Sequence, residues 1–142
     1  MSDSPAELRD LLLLTTRTLR RRWHDILQPW EMSPHEHRAL DVIGRADEPI
    51  RLGVVARDLH IAPRSATEVV DRLEARGLTE RLPDPADRRA VCVRLTDEGR
   101  RLRTELASAR DAAADAVFTR LDAGERAELS RLLHKLVDDL PD

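Results

Sequence analysis

The chain has no tyrosine, and its 142 residues include one phenylalanine, two tryptophans and one cysteine. Aromatics are 2% of the residues while hydrophobics reach 41%, so any core must be built from Leu, Val, Ile and Ala. A single cysteine, Cys92, excludes an intrachain disulfide. Lysine is nearly missing too: Lys135 is the only one, and every other basic side chain is arginine. No apolar run approaches the ~20 residues that cross a bilayer, and no charged-then-apolar signal segment is found. These absences predict a cytoplasmic protein without a membrane partner. Gly-rich phosphate loops, nucleophile motifs and metal-ligand spacings are missing as well, which argues against an enzyme and predicts no metal and no cofactor.

What is present is charge, at 36% of the residues with a net of -3. Its distribution is uneven. Residues 51–103 carry twelve basic and nine acidic side chains, a net +3, while the stretches before and after carry -2 and -4. An anionic partner is drawn to the middle of such a chain.

Two helix starts share one form. "SPAE" (Ser4–Glu7) and "SPHE" (Ser33–Glu36) place Ser at N-cap, Pro at N1 and Glu at N3. The first predicted helix runs from Pro5 to about Gln28, and "LLLL" (Leu11–Leu14) makes it apolar around more than one side, as at a subunit interface. The second runs from Pro34 to about Ala46. Next come two short helices broken at "IAP", the later one spanning Pro63–Arg76 with Gly77 as its C′ residue. Two helices joined by a tight turn form a helix-turn-helix candidate.

Leu78–Leu82 and Ala90–Thr96 read as a strand pair, with Val91, Val93 and Leu95 on one face of the second strand. "PDPADRR" between them is turn chemistry, so Arg88 and Arg89 stand near a hairpin tip. Thr96 caps a long helix predicted to reach about Leu121, and "DAGE" (Asp122–Glu125) opens a last helix whose apolar series runs from Leu129 to Leu140. The predicted fold class is mainly α with a small β-hairpin wing. A winged helix-turn-helix over 33–103 is flanked by dimerisation helices at 1–32 and 104–142, all in one continuous compact domain.

An α-helix fits the major groove of B-DNA. On a helical wheel, Ala66, Val69, Val70 and Leu73 mark the buried face of the Pro63–Arg76 helix. Arg64, Glu68, Asp71 and Ala75 point away from it, with Ser65, Thr67 and Arg72 at the flanks. Arg64 suits guanine O6 and N7, and Ser65 and Thr67 suit phosphate or base edges. Glu68 either accepts from cytosine N4 or pairs along the helix with Arg64 or Arg72. The hairpin tip reaches toward the minor groove, where Arg88 and Arg89 gain from a narrow A·T tract and Asp87 can hold one of them in a bidentate pair. Acidic Glu68 and Asp71 also support an alternative, a winged-helix protein-interaction module with weak or no DNA binding.

"DRLEARGL", "DPADRR" and "VRLTDEGR", within Val69–Leu102, closely resemble the MarR family of bacterial transcriptional regulators. The resemblance extends from about Leu8 to about Leu140. It implies an obligate homodimer whose terminal helices interlock and whose winged helices bind a palindromic operator on double-stranded DNA. It also implies repression, often relieved by a small phenolic or other aromatic ligand. By the same resemblance, the groove-reading start of the recognition helix falls on Pro63, Arg64, Ser65, Ala66 and Thr67, and the wing Asp and Arg fall on Asp87 and Arg89. The chain departs from the family at Ala62, where many members cap with Ser or Thr, and at Thr79, where Val is usual.

Peroxide-sensing members carry a reactive cysteine in the first helix near tyrosines, and this chain has neither, so Cys92 is expected to be a packing residue. Zinc-sensing members use a histidine placed like His37, but His35 and His37 are two apart and face different sides of a helix. Trp23, His24, Trp30 and His37 come from the region that lines the effector pocket in relatives. The two tryptophans either line such a pocket or fill the core or dimer seam.

Overall fold

A computed structural model describes residues 4–138, so Leu140 and the outermost ends of the flanking segments lie outside it. Helix α1 spans Pro5–Leu27. Ser4 Oγ accepts the Glu7 amide at 3.2 Å, the first half of the expected box. The helix stops one residue before the expected boundary. Pro29 follows, Gln28–Trp30 tighten into a 3₁₀ turn, and Glu31 takes a left-handed φ of 49°. Helix α2 spans Pro34–Arg45 behind a complete Ser33/Glu36 capping box. Helices α3 (Leu52–Leu59) and α4 (Pro63–Ala75) follow.

The wing strands are β2 (Thr79–Pro83) and β3 (Val91–Leu95). Sequence periodicity missed a third strand, β1 (Ile50–Arg51), because two residues are too few to display alternation. The sheet is antiparallel in the order β1-β3-β2, with Arg51 opposite Cys92 and Leu82 opposite Cys92 on the other side. β3 is therefore central, and Cys92 is buried along with Val93. Helix α5 spans Asp97–Phe118, three residues short of the expected end, because the chain turns into the Asp122 cap. Asp122 and Glu125 bond reciprocally at 2.8 and 2.9 Å and open α6, Ala123–Asp138.

The chain divides into two compact units, one of residues Trp23–Ala109 and one formed by the chain ends up to Arg22 and from Arg110. In the first unit Leu27, Leu40, Leu59, Leu73, Val93 and Leu106 are among the fully buried side chains, and this aliphatic core supports α4 and the wing. Two glycines are required there. Gly77 takes φ 73° where α4 ends. Gly99, in the first turn of α5, lies so close to β2 that a Cβ would stand 2.0 Å from the Leu78 carbonyl oxygen. That oxygen already accepts the Thr96 amide at 3.0 Å, and Thr96 Oγ1 in turn accepts the Gly99 amide at 3.1 Å. In the second unit α6 buries none of its described residues, and Leu8, Leu11–Leu14, Leu132, Leu136 and Val137 are exposed. Among the described residues no helix is long and apolar enough to cross a membrane.

Candidate nucleic-acid interface

The turn between α3 and α4 is held from three sides. His60 adopts a left-handed φ of 55° and donates its amide to Arg57 O, Ile61 donates to Ala56 O, and Arg38 caps Leu59 O from α2 at 3.2 Å. Ala62 then stands at N-cap without a side-chain bond, and Pro63 occupies N1. Helix α4 buries Ala66, Val69, Val70 and Leu73, the face expected from the wheel.

Ala66 is wholly buried, which corrects its place among the expected contact residues: its side chain packs against the core and presents nothing outward. Pro63, Arg64, Ser65 and Glu68 are exposed. Arg64 is 92% exposed, with its Nε 3.7 Å from a Glu68 carboxylate oxygen. The pairing left open for Glu68 is therefore with Arg64. Thr67 is half-buried and donates its hydroxyl to Pro63 O at 3.1 Å. Arg72 points to α2, where its Nε donates to the buried Glu36 carboxylate at 3.0 Å. Arg76 flanks the same carboxylate at 3.6 Å and donates to the Trp30 and Glu31 carbonyls.

Two of the three acids of α4 are ion-paired from the wing strand. Arg81 of β2 forms ion pairs with both Asp71 and Glu74. Asp71 therefore meets a guanidinium from its own fold, which sequence spacing had left undecided. Glu36 and Arg81 are the organising residues that linear reading missed. Glu36 was visible only as the N3 member of a capping box, and Arg81 reaches Asp71 through the turn at Gly77, outside any helical or strand periodicity.

The wing tip is closed by Asp84 N to Ala90 O at 3.2 Å and Ala90 N to Asp87 O at 3.1 Å. Asp87 Oδ1 accepts the Arg89 backbone amide at 2.9 Å. This corrects the expected bidentate pair: Asp87 shapes the turn beneath Arg89 through the main chain. Arg88 and Arg89 are both exposed. At the wing base, Asp84 accepts the Ala86 amide at 2.8 Å and the Arg51 guanidinium at 2.6 Å. The amide, then the arginine, hold the Asp84 carboxyl below its usual range, and Asp84 in turn raises Arg51. Burial pushes the nearby Cys92 thiol up.

The residues expected at an effector pocket separate. Trp23 meets the buried His37 edge-on, with ring centroids 4.6 Å apart, and His37 Nε2 lies 3.6 Å from Asp41. His24 instead contacts Gln28 one turn along the same helix. Trp30 borders a different cleft of about 390 Å³, shared with Arg76, Leu78, Arg101 and Leu102. Both tryptophans pack against the core. Among the described residues no three His, Cys, Asp or Glu side chains converge as a metal site would require.

A sequence model described as MarR family matches residues 30–90. The HTH-type transcriptional repressor NicR of Pseudomonas putida is 39% identical over 70 residues, which cover 49% of this chain and 44% of NicR. The crystal structure of wild-type MarR from E. coli, in its apo form, superposes with a TM-score of 0.81 at 27% identity, covering 99% of this chain and 100% of that one. That of RV1404 from Mycobacterium tuberculosis gives 0.85 at 27% identity, covering 100% and 98%.

Proposed function

We propose that the chain is a member of the MarR family of DNA-binding winged helix-turn-helix transcriptional regulators and that it represses transcription as a homodimer on a palindromic operator. In this reading residues 33–103 engage DNA and the segments 1–32 and 104–142 join the subunits. The observation that carries it is the division of charge within one unit. Arg64 and Ser65 on α4 and Arg88 and Arg89 on the wing are exposed, while the charges of Asp71 and Glu74 are offset by ion pairs with Arg81. An overall acidic chain thereby offers basic groups to phosphate and to base edges. Arg64 reads guanine in the major groove, and Arg89, on a turn held by Asp87, enters the adjacent minor groove. Twofold symmetry then requires half-sites about one helical turn, ~34–36 Å, apart.

The exposed leucines of α1 and α6 support the homodimer, since an uncovered apolar surface of this kind is costly on a free monomer. We also propose a small aromatic or phenolic effector that releases the DNA. Trp30 offers a ring in a cleft where Arg76 and Arg101 stand with Glu98 and Glu105, and Arg76 caps the end of the recognition helix.

The test is binding to the DNA upstream of the protein's own gene across a salt series. Affinity must fall steeply with salt if several phosphates are contacted per half-site. Arg89→Ala should weaken binding and relax A·T preference at the operator flanks, and Arg64→Ala should relax preference nearer the half-site centres, each by about 1–3 kcal/mol. Parent-like binding by both variants rejects this interface, and a parent with no salt-dependent binding favours the protein-interaction module.

A further inference from the structure

We propose that Glu68 is a specificity-determining residue that reads the exocyclic amino group of a cytosine, beside a guanine read by Arg64. The inference rests on the operator reading above and deepens it. Each other charged side chain on the middle of α4 is engaged by a different element: Arg72 by Glu36 of α2, and Asp71 and Glu74 by Arg81 of β2. Glu68 is 59% exposed and pairs with Arg64, one turn earlier on the same face.

A carboxylate on the surface that enters the major groove is repelled by phosphate. It is tolerated where a base donates to it. Cytosine N4 is the donor that a carboxylate accepts best there, and an arginine one turn away matches the O6 and N7 acceptors of guanine. The Arg64–Glu68 contact at 3.7 Å is long enough to be exchanged for base contacts, and it holds the two side chains together before DNA arrives. Arg64 also offsets the charge that Glu68 brings toward the backbone. The pair therefore selects a guanine and a cytosine at neighbouring positions of each half-site, whereas an alanine at position 68 would leave the second position unread.

The experiment selects bound duplexes from a randomised DNA library, using the full-length parent, Glu68→Gln and Glu68→Ala. The parent should enrich one cytosine per half-site next to the guanine lost in Arg64→Ala, with roughly tenfold discrimination in competition binding. Glu68→Gln should move that preference to adenine, because a glutamine amide pairs with adenine N6 and N7. Glu68→Ala should lose preference at that position alone, keep the A·T flanks and bind random DNA more tightly. Identical preferences in all three proteins overturn the proposal. So does a loss of preference at every position in Glu68→Ala, which would make Glu68 a support for Arg64. A parent that enriches no sequence rejects the operator reading itself, an outcome distinct from either of these.

Discussion

Thr79 shows how a single residue can be out of step with its surroundings. It is 2% exposed on β2, and its hydroxyl meets no hydrogen-bond partner among the described residues. A buried polar atom left unpaired costs about 1–3 kcal/mol, while the β-branched shape suits the strand. Thr79→Val keeps the shape and removes the unpaired oxygen. It should stabilise the protein by about 1 kcal/mol, read as a raised midpoint in urea with an unchanged slope. The composition allowed Thr79 to be placed on a strand. Its lack of a partner was invisible, because pairing depends on which atoms of other elements come near. Ala66 carries the same lesson: the wheel put it on the inner face while family resemblance put it among contact residues, and packing decided for the core.

At the scale of elements, the junction of α4, β2 and α5 depends on close backbone approach. Gly99→Ala forces a Cβ against the Leu78 carbonyl, which is backbone and already bonded to Thr96. The junction must open, at a cost of at least ~1–3 kcal/mol, measurable by denaturant titration. The wing base is a second such junction. Asp84 has a folded pKa below its ordinary 3.8, so its contribution to stability is full above that value and is lost as pH falls through the folded pKa. In melting curves between pH 2 and 6, Asp84→Asn should melt below the parent at pH 6. The gap should narrow as pH falls through the folded pKa and the parent carboxyl is protonated too. A gap that stays constant with pH would mean that the Arg51–Asp84 contact contributes nothing through charge. Helix starts were legible because capping is local: Ser33 with Glu36 and Asp122 with Glu125 both bond as their three-residue spacing requires. Strand β1 was not legible, since its two residues become a strand only by pairing with β3.

For the whole molecule, the unpartnered surface is the main observation. Leu11–Leu14 on α1 and Leu132, Leu136 and Val137 on α6 remain exposed in a single chain. If they form the subunit interface, Leu12→Asp or Leu136→Asp should yield monomers by light scattering at micromolar concentration. Operator affinity should fall at least tenfold, because one subunit grips one half-site only. The parent's melting temperature should rise with concentration, as for any dimer whose folding is coupled to association, and that dependence should be gone in the variants.

The order of helices, their N-terminal caps, the arginine-bearing turn and the basic middle of an acidic chain were determined by the sequence alone. Each is a matter of neighbours along the chain: residues three or four apart on a helix, two apart on a strand, adjacent in a turn. Only the tertiary structure decided which charges remain available. Arg81 pairs with Asp71 and Glu74, Glu36 pairs with Arg72, and Asp87 accepts a backbone amide, while Arg64 and Arg89 are left facing outward. The physical reason is that ion pairs form by distance in space. Thirty-six residues separate Glu36 from Arg72, and no periodicity along the chain encodes that they meet.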